Sequence, residues 1–258
     1  MIFVFPEDEV GNGVADSAFE DQIESLSRRD HTIALVTSRN KVIFLSGPRK
    51  GGDAIFRGWM MGPDQYSQMY AALVDQGTTL VSNPDQYRSA HHIDGWYHAI
   101  SDLTPKTVLF PGASRIAGMA IPDWDGYFVK DYVKSLTTRR GSRAASPGEI
   151  DGILSDIERY RGSIEGGVCL REIEDLNVSA EMRHFVYLGI PHSAASPVPD
   201  IVNLVMKNIS LPFYSVDSIV NSQGFARVVE IGDGQVSDLK LWTPDQFAEI
   251  FPANASQP

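Results

Sequence analysis

A single cysteine, Cys169, stands among the 258 residues, so no intramolecular disulfide can form. Long apolar runs are missing too. None reaches the ~18 residues that a membrane-crossing helix needs, which removes a membrane from the expected partners. Positive charge is scarce: 22 Lys and Arg stand against 33 Asp and Glu, a net charge of -11. That surplus repels a phosphodiester backbone and argues against nucleic acid as a general partner, while leaving room for an anionic ligand in a local basic pocket. The N-terminal MIFVFPEDEV has neither the basic start nor the small-residue cleavage site of a signal peptide. A reducing cytoplasm is the expected compartment. The Asn-x-Ser triplets at Asn177, Asn208 and Asn254 are then no glycosylation signal.

What is present is an ordinary globular balance, with 43% hydrophobic and 21% charged residues and enough length for one large domain or two small ones. Over residues 1–105, short apolar runs (IFVF, TIALVT, KVIFLS, DAIF, TTLV) alternate with helical patterns at 17–29, 63–76 and 84–103. This part reads as a small α/β domain. Residues 106–258 change texture. TVLFPG, GYFVKDYVKS, GVCLREIE, EMRHFVYLG, LPFYSVDSIV and FARVVEIGDGQV read as strands joined by short links, hence mostly antiparallel. Helices are expected at 149–161, 201–208 and 243–251, and IPHSAASPVPD reads as a loop.

The last strand pair carries the chemistry. In RVVEIGDGQV two valines lead into Glu230, with Asp233 three residues on. An even-numbered loop around NSQG would put Asp217 and Glu230 on one face, directly opposite if Gln223-Gly224 is the loop. Like charges so placed repel. A shared cation would resolve the conflict, and hard oxygen ligands suit Mg²⁺, especially with phosphates completing its shell. An odd loop, or arginines pairing both acids, would remove the need for a metal. Lys130 shares a strand face with Phe128, where burying an ammonium is costly unless an anion meets it. An edge strand protected by its lysine is the other reading. Arg171 in CLREIE and Arg183 in EMRHFV, with Glu181 on the same face as Arg183, pose the same choice.

In this order, FVKD, VCLREIE, EMRHFV, FYSVDS and VVEIGDGQV resemble the ATP-grasp superfamily. They are most similar to a clade named for two arginines and one lysine, whose members are expected to be amide- or peptide-bond ligases; IFRGWMM with Arg57 fits it too. The resemblance spans roughly Ile55 to Leu241. It implies a two-lobed, largely antiparallel nucleotide-binding region after the N-terminal α/β domain, with ATP and Mg²⁺ as cofactors. Lys130 would bind the α- and β-phosphates, and Glu172 with Ile173 would form the hinge that reads adenine. Arg171, Lys134 and Glu181 are further members of the nucleotide site. Arg183 would face phosphate or an acylphosphate. Asp217 and Glu230 would hold the metal, and Arg57 would reach a phosphate or the substrate carboxylate. Where the superfamily often has Asn two residues after the metal-binding Glu, this chain has Gly232, so Asp233 is the candidate third ligand. The implied reaction joins a carboxylate to an amine through an acylphosphate. A phosphotransferase on the same fold and a non-catalytic nucleotide-binding interaction protein are the alternatives. A homodimer is expected from the superfamily alone.

Other motifs carry less. GPRKGGD at 47–53 lacks P-loop spacing and reads as a turn. GNG at 11–13 is an incomplete dinucleotide fingerprint. Adjacent His91 and His92 on a helix would face different sides and share no metal. TTRRGSR at 137–143 reads either as a mobile loop over the phosphates or as a solvated linker. Cys169 belongs in the core.

Overall fold

Ile2 to Phe5 is apolar at every position and buried on both faces, which suits the interior of a parallel sheet. In the computed structural model, which describes residues 1–47, 51–136, 141–176, 180–195 and 197–252, this run is β1 (Ile2–Pro6). It pairs in parallel with β2 (Thr32–Val36) and with β4 (Gly52–Phe56). Antiparallel β3 (Val42–Phe44) and parallel β5 (Thr78–Leu80) complete the order β3-β2-β1-β4-β5. Helices α1 (Glu20–Ser27) and α2 (Pro63–Asp75) lie at their expected positions, and Tyr66, Met69 and Leu73 of α2 are buried.

Two antiparallel sheets follow. One has the order β6-β9-β7-β8, from Thr107–Pro111, Gly167–Glu172, Tyr127–Asp131 and Arg143–Ala144. Helix α4 (Ile150–Arg161) packs on it through Ile150, Ile153, Leu154 and Ile157. The other has the order β11-β10-β12-β13, from Ile190–Ser193, Met182–Tyr187, Phe213–Val220 and Ala226–Asp233. One face of this second sheet stacks Phe185 and Phe213 with Trp242, Phe247 and Phe251, and that cluster reaches Phe3 and Phe5 of β1. The first and last elements of the chain therefore share one core. Val186, Val216 and Ile231 of the same sheet belong to a separate cluster with Ile201, Val202 and Val205 of α5 (Asp200–Met206). Among the described residues no helix is long and apolar enough to cross a membrane.

The fold class holds as expected, an α/β layer followed by antiparallel sheets. Three elements differ. Helix α3 (Pro84–His91) stops short of the 84–103 pattern, because the N–H of Ile93 donates to the Tyr132 carbonyl and three short 3-10 turns carry the chain onward. The supposed loop at Ile190 contains β11, formed by a tight turn in which Leu188 (φ 48°) and Gly189 (φ 76°) are left-handed. The final helix is only α6 (Pro244–Ala248), capped by Thr243. The turn at 47–53 and the loop at 137–143 lie partly outside the described residues, as do the triplets at Asn177 and Asn254.

Candidate active site

Asp217 and Glu230 do face each other, but not by the expected route. The loop joining β12 to β13 has five residues, Asn221 to Phe225, between the paired Val220 and Ala226. An odd loop should have put the acids on opposite faces. A bulge repairs the parity: Ser218 pairs with Val228 and Asp217 with Glu230, leaving Val229 as the extra residue. The carbonyl that the bulge frees is taken by Arg171, whose NH1 lies 2.6 Å from Val229 O. The other arm of Arg171 donates to the Thr104 hydroxyl, and that hydroxyl donates to Val228 O at 2.7 Å. Arg171 and Thr104 thus hold the bulge that aims Glu230.

Glu230 stands where two cavities meet. The first, about 230 Å³, lies between the two antiparallel sheets. Phe128, Lys130 and Arg171 line it from one sheet, Ile219 and Val229 from the other, and Glu172, Ile173 and Glu174 run along its edge. Lys130 is buried, and its ammonium meets Glu230 Oε1 at 3.2 Å. Its strand β7 sits between β9 and β8, so the edge-strand reading of this lysine fails. Glu181 also lines this cavity and pairs with Lys240. A clamp that the motifs did not reveal fixes the segment after β9. Arg227 holds both oxygens of Glu174 at 2.7 and 2.9 Å and donates to the carbonyls of Asp102 and Thr104. The only trace in the sequence was an arginine in an apolar strand.

The second cavity, about 170 Å³, is lined by Trp59, His91, Lys134, Arg183, Glu230 and Asp238, among others. Lys134 is exposed; its turn is set by buried Asp131, which accepts from the N–H groups of Val133 and Lys134 at 2.8 and 2.6 Å. Burial pushes the His91 imidazole down to about 4. Cys169 is in the core, as expected, and burial pushes its thiol up to about 11.

Three residues of the sequence reading, Arg57, Asp233 and Asp217, have partners that the motifs did not show. Arg57 does not reach either cavity. It is 1% exposed, donates to Gln22 and to the carbonyls of Gly234, Gln235 and Ser237, and lies over the Phe247 ring at 4.4 Å. It fastens the 234–237 turn to the core. Arg57→Ala should strand those buried carbonyls at a cost of about 3 kcal/mol, lowering Tm by roughly 6–12 °C. Thermal unfolding checks this, and an unchanged Tm with impaired turnover would restore Arg57 to the reaction.

Asp233 lines the second cavity with Glu230 but is placed differently from it. Glu230 is partly open, whereas Asp233, at the end of the strand, is 1% exposed. Asp233 is buried, accepts from the N–H of Gln235 at 2.9 Å, and burial pushes its carboxyl up to about 7.

Asp217 is also committed. Arg183 grips both its oxygens at 2.8 and 2.7 Å, and Lys240 adds a third contact at 2.8 Å. Burial alone would raise its pKa, but these cations win and hold it below the ordinary 3.8. Of the three predicted metal ligands, Glu230 is the most exposed, with its side chain 41% exposed. One carboxylate is compatible with Mg²⁺, which keeps several waters and takes phosphate oxygens. Gly232 has a reason of its own. A Cβ there would lie 3.0 Å from both the Ser215 and Ser237 hydroxyls, which bond each other at 2.8 Å, so a larger residue would have to push them aside.

A family profile for an ATP-grasp domain, described as family 3 of the clade named for two arginines and one lysine, matches residues 95–250. No curated protein sequence matches the chain. Among solved structures, a D-cycloserine synthetase is similar at TM-score 0.62 and 14% identity, over 96% of this chain and 98% of that one. A D-alanine–D-alanine ligase from Bacillus anthracis complexed with ATP gives 0.54 and 12%, over 91% and 85%. A macrocyclase from Microcystis aeruginosa, bound with its precursor peptide, gives 0.55 and 13%, over 97% and 99%.

Proposed function

The chain belongs to the ATP-grasp superfamily, in family 3 of its two-arginine, one-lysine clade, and from that premise we propose that it is an ATP-dependent carboxylate–amine ligase acting through an acylphosphate. The observation that carries this reading is the position of Glu230 at the junction of two cavities. One has the apolar walls and buried lysine that a nucleotide triphosphate needs. The other has polar groups of both signs, as a carboxylate and an amine would require.

In this reading adenine enters between Phe128, Ile219 and the hinge at Glu172–Glu174, and Lys130 takes the phosphate charge. Lysine acts here as a point charge, well placed because its strand is interior and its ammonium has little access to water. Mg²⁺, held by Glu230, would supply charge neutralisation on the phosphates. Lys134 and Arg183 border the second cavity, where they orient the incoming carboxylate. A carboxylate oxygen attacks the γ-phosphorus, the bond to the β,γ-bridging oxygen breaks, and ADP departs. The amine then attacks the acyl carbon, phosphate leaves with the C–O electrons, and the amine loses a proton. No covalent enzyme nucleophile is needed, in keeping with the inert, buried Cys169. Exposed Trp59 and Met60 at the second cavity suit a donor or acceptor carried on an amino acid or peptide.

Hydroxylamine tests this reading, because it intercepts acylphosphates. With ATP, Mg²⁺ and a panel of amino acids and short peptides, the expected products are a hydroxamate, ADP and free phosphate in equal amounts. A stable phosphorylated product, formed without an amine, would instead make the protein a phosphotransferase.

A further inference from the structure

Outside the nucleotide cleft, one cluster of side chains has the make-up of a second metal site. His91 and His92 are both buried, and each turns Nε2 toward the same oxygen, Glu165 Oε1, at 3.7 and 3.0 Å. The donor atoms of all three residues lie within 4.8 Å of one another. Adjacent residues on a continuous helix could not do this. Helix α3 ends at His91, however, and His92 is extended (φ -96°, ψ 134°), so the chain turns out of the helix between the two rings. Their centroids are 5.6 Å apart.

We propose that His91, His92 and Glu165 bind a borderline first-row divalent cation of the Zn²⁺ type. Four-coordinate zinc with bonds of about 2.0–2.1 Å sets its ligand atoms ~3.3–3.4 Å apart, and the two nitrogen–oxygen distances here bracket that value. His91 Nε2 is buried without a hydrogen-bond partner, and a metal would satisfy it. The surroundings hold each ligand in place. Tyr87 stacks on the His91 ring at 5.1 Å, and the edge of Tyr132 meets the His92 ring at 6.2 Å. Arg161 lies 3.7 Å from the other oxygen of Glu165 and is itself tied to Asp131, which also accepts the Glu165 N–H at 3.2 Å. Outer-shell support of this kind fixes ligand orientation. Two imidazoles and one carboxylate select against Mg²⁺, which prefers oxygen alone. The ion would join the end of α3 to the segment after α4, and His91 would carry its position to the wall of the second cavity.

The test uses the full chain, stripped by chelator, without nucleotide and in excess Mg²⁺. Calorimetric titration with Zn²⁺ should find one equivalent bound, and Co²⁺ should develop the visible bands of a tetrahedral site. His92→Ala and Glu165→Gln should each weaken Zn²⁺ at least about tenfold and abolish the rise in Tm that Zn²⁺ gives the unaltered protein. If His92→Ala fails to fold, Glu165→Gln keeps the side-chain shape and carries the comparison. No bound equivalent on the folded protein, or affinity unchanged in the folded variants, would overturn the site and leave a His92–Glu165 hydrogen bond.

Discussion

Glu230→Gln should lower turnover by two to three orders of magnitude while the protein stays folded. The substitution preserves size and leaves an oxygen that can still accept from Lys130, 3.2 Å away. What it removes is one negative charge at the junction of the two cavities. The side chain is 41% exposed, so its ion pair is partly screened by water and adds little to folding. Its effect on phosphoryl transfer is different. Losing an oriented charge at a reacting phosphate costs about 3–4 kcal/mol of transition-state stabilisation, which sets the expected range. Calorimetric ATP titrations locate the loss. Mg²⁺ should tighten ATP binding to the unaltered protein and not to Glu230→Gln. A variant with undiminished turnover would leave Glu230 as a strand-end charge.

The sequence made the strands of this site visible through apolar runs interrupted by one or two charges: Lys130, Arg171, Arg183, Asp217 and Glu230 all stand in such runs. Their order along the chain pointed to the superfamily, and the structure gathers Lys130, Arg171, Glu172, Ile173, Glu181 and Glu230 around one cleft. The pairing of Asp217 with Glu230 was anticipated from the wrong loop, because a bulge leaves no mark that loop parity can detect. Asp233 shares the second cavity with Glu230, and the strand pattern did not show how deeply it is buried there. Nor did it place Arg57. Its carbonyl partners at 234–237 are some 180 residues distant, and a motif cannot say whether an arginine faces a phosphate or a turn. The histidine pair depended on where α3 stops, and the N–H of Ile93 leaves the helix for Tyr132, which follows a strand of a different sheet.

Asp217→Ala should destabilise the protein even with no nucleotide or metal present, and this separates an anchor from a ligand. Asp217 is 1% exposed and neutralises Arg183 and Lys240 together. Removing it takes the bidentate partner from Arg183 and one of two partners from Lys240, while Arg183 keeps Asp238 and Lys240 keeps Glu181; the loss is about 2–3 kcal/mol, a fall in Tm of roughly 4–12 °C. A carboxylate whose only task was to share a metal with Glu230 would behave in the opposite way: its removal would relieve repulsion across the strand pair and leave Tm unchanged or raised. The pH dependence has a definite sign. Because Arg183 and Lys240 hold the folded pKa below the ordinary 3.8, the contribution of Asp217 is present above about pH 4 and is lost as pH falls through the folded value. Asp217→Asn, which never carries that charge, should lack this part of the acid-induced loss. Thermal unfolding of the three proteins between pH 3 and 7 measures both effects. In the proposed reaction Asp217 would serve by holding Arg183 at the wall of the second cavity, where an incoming carboxylate would meet it.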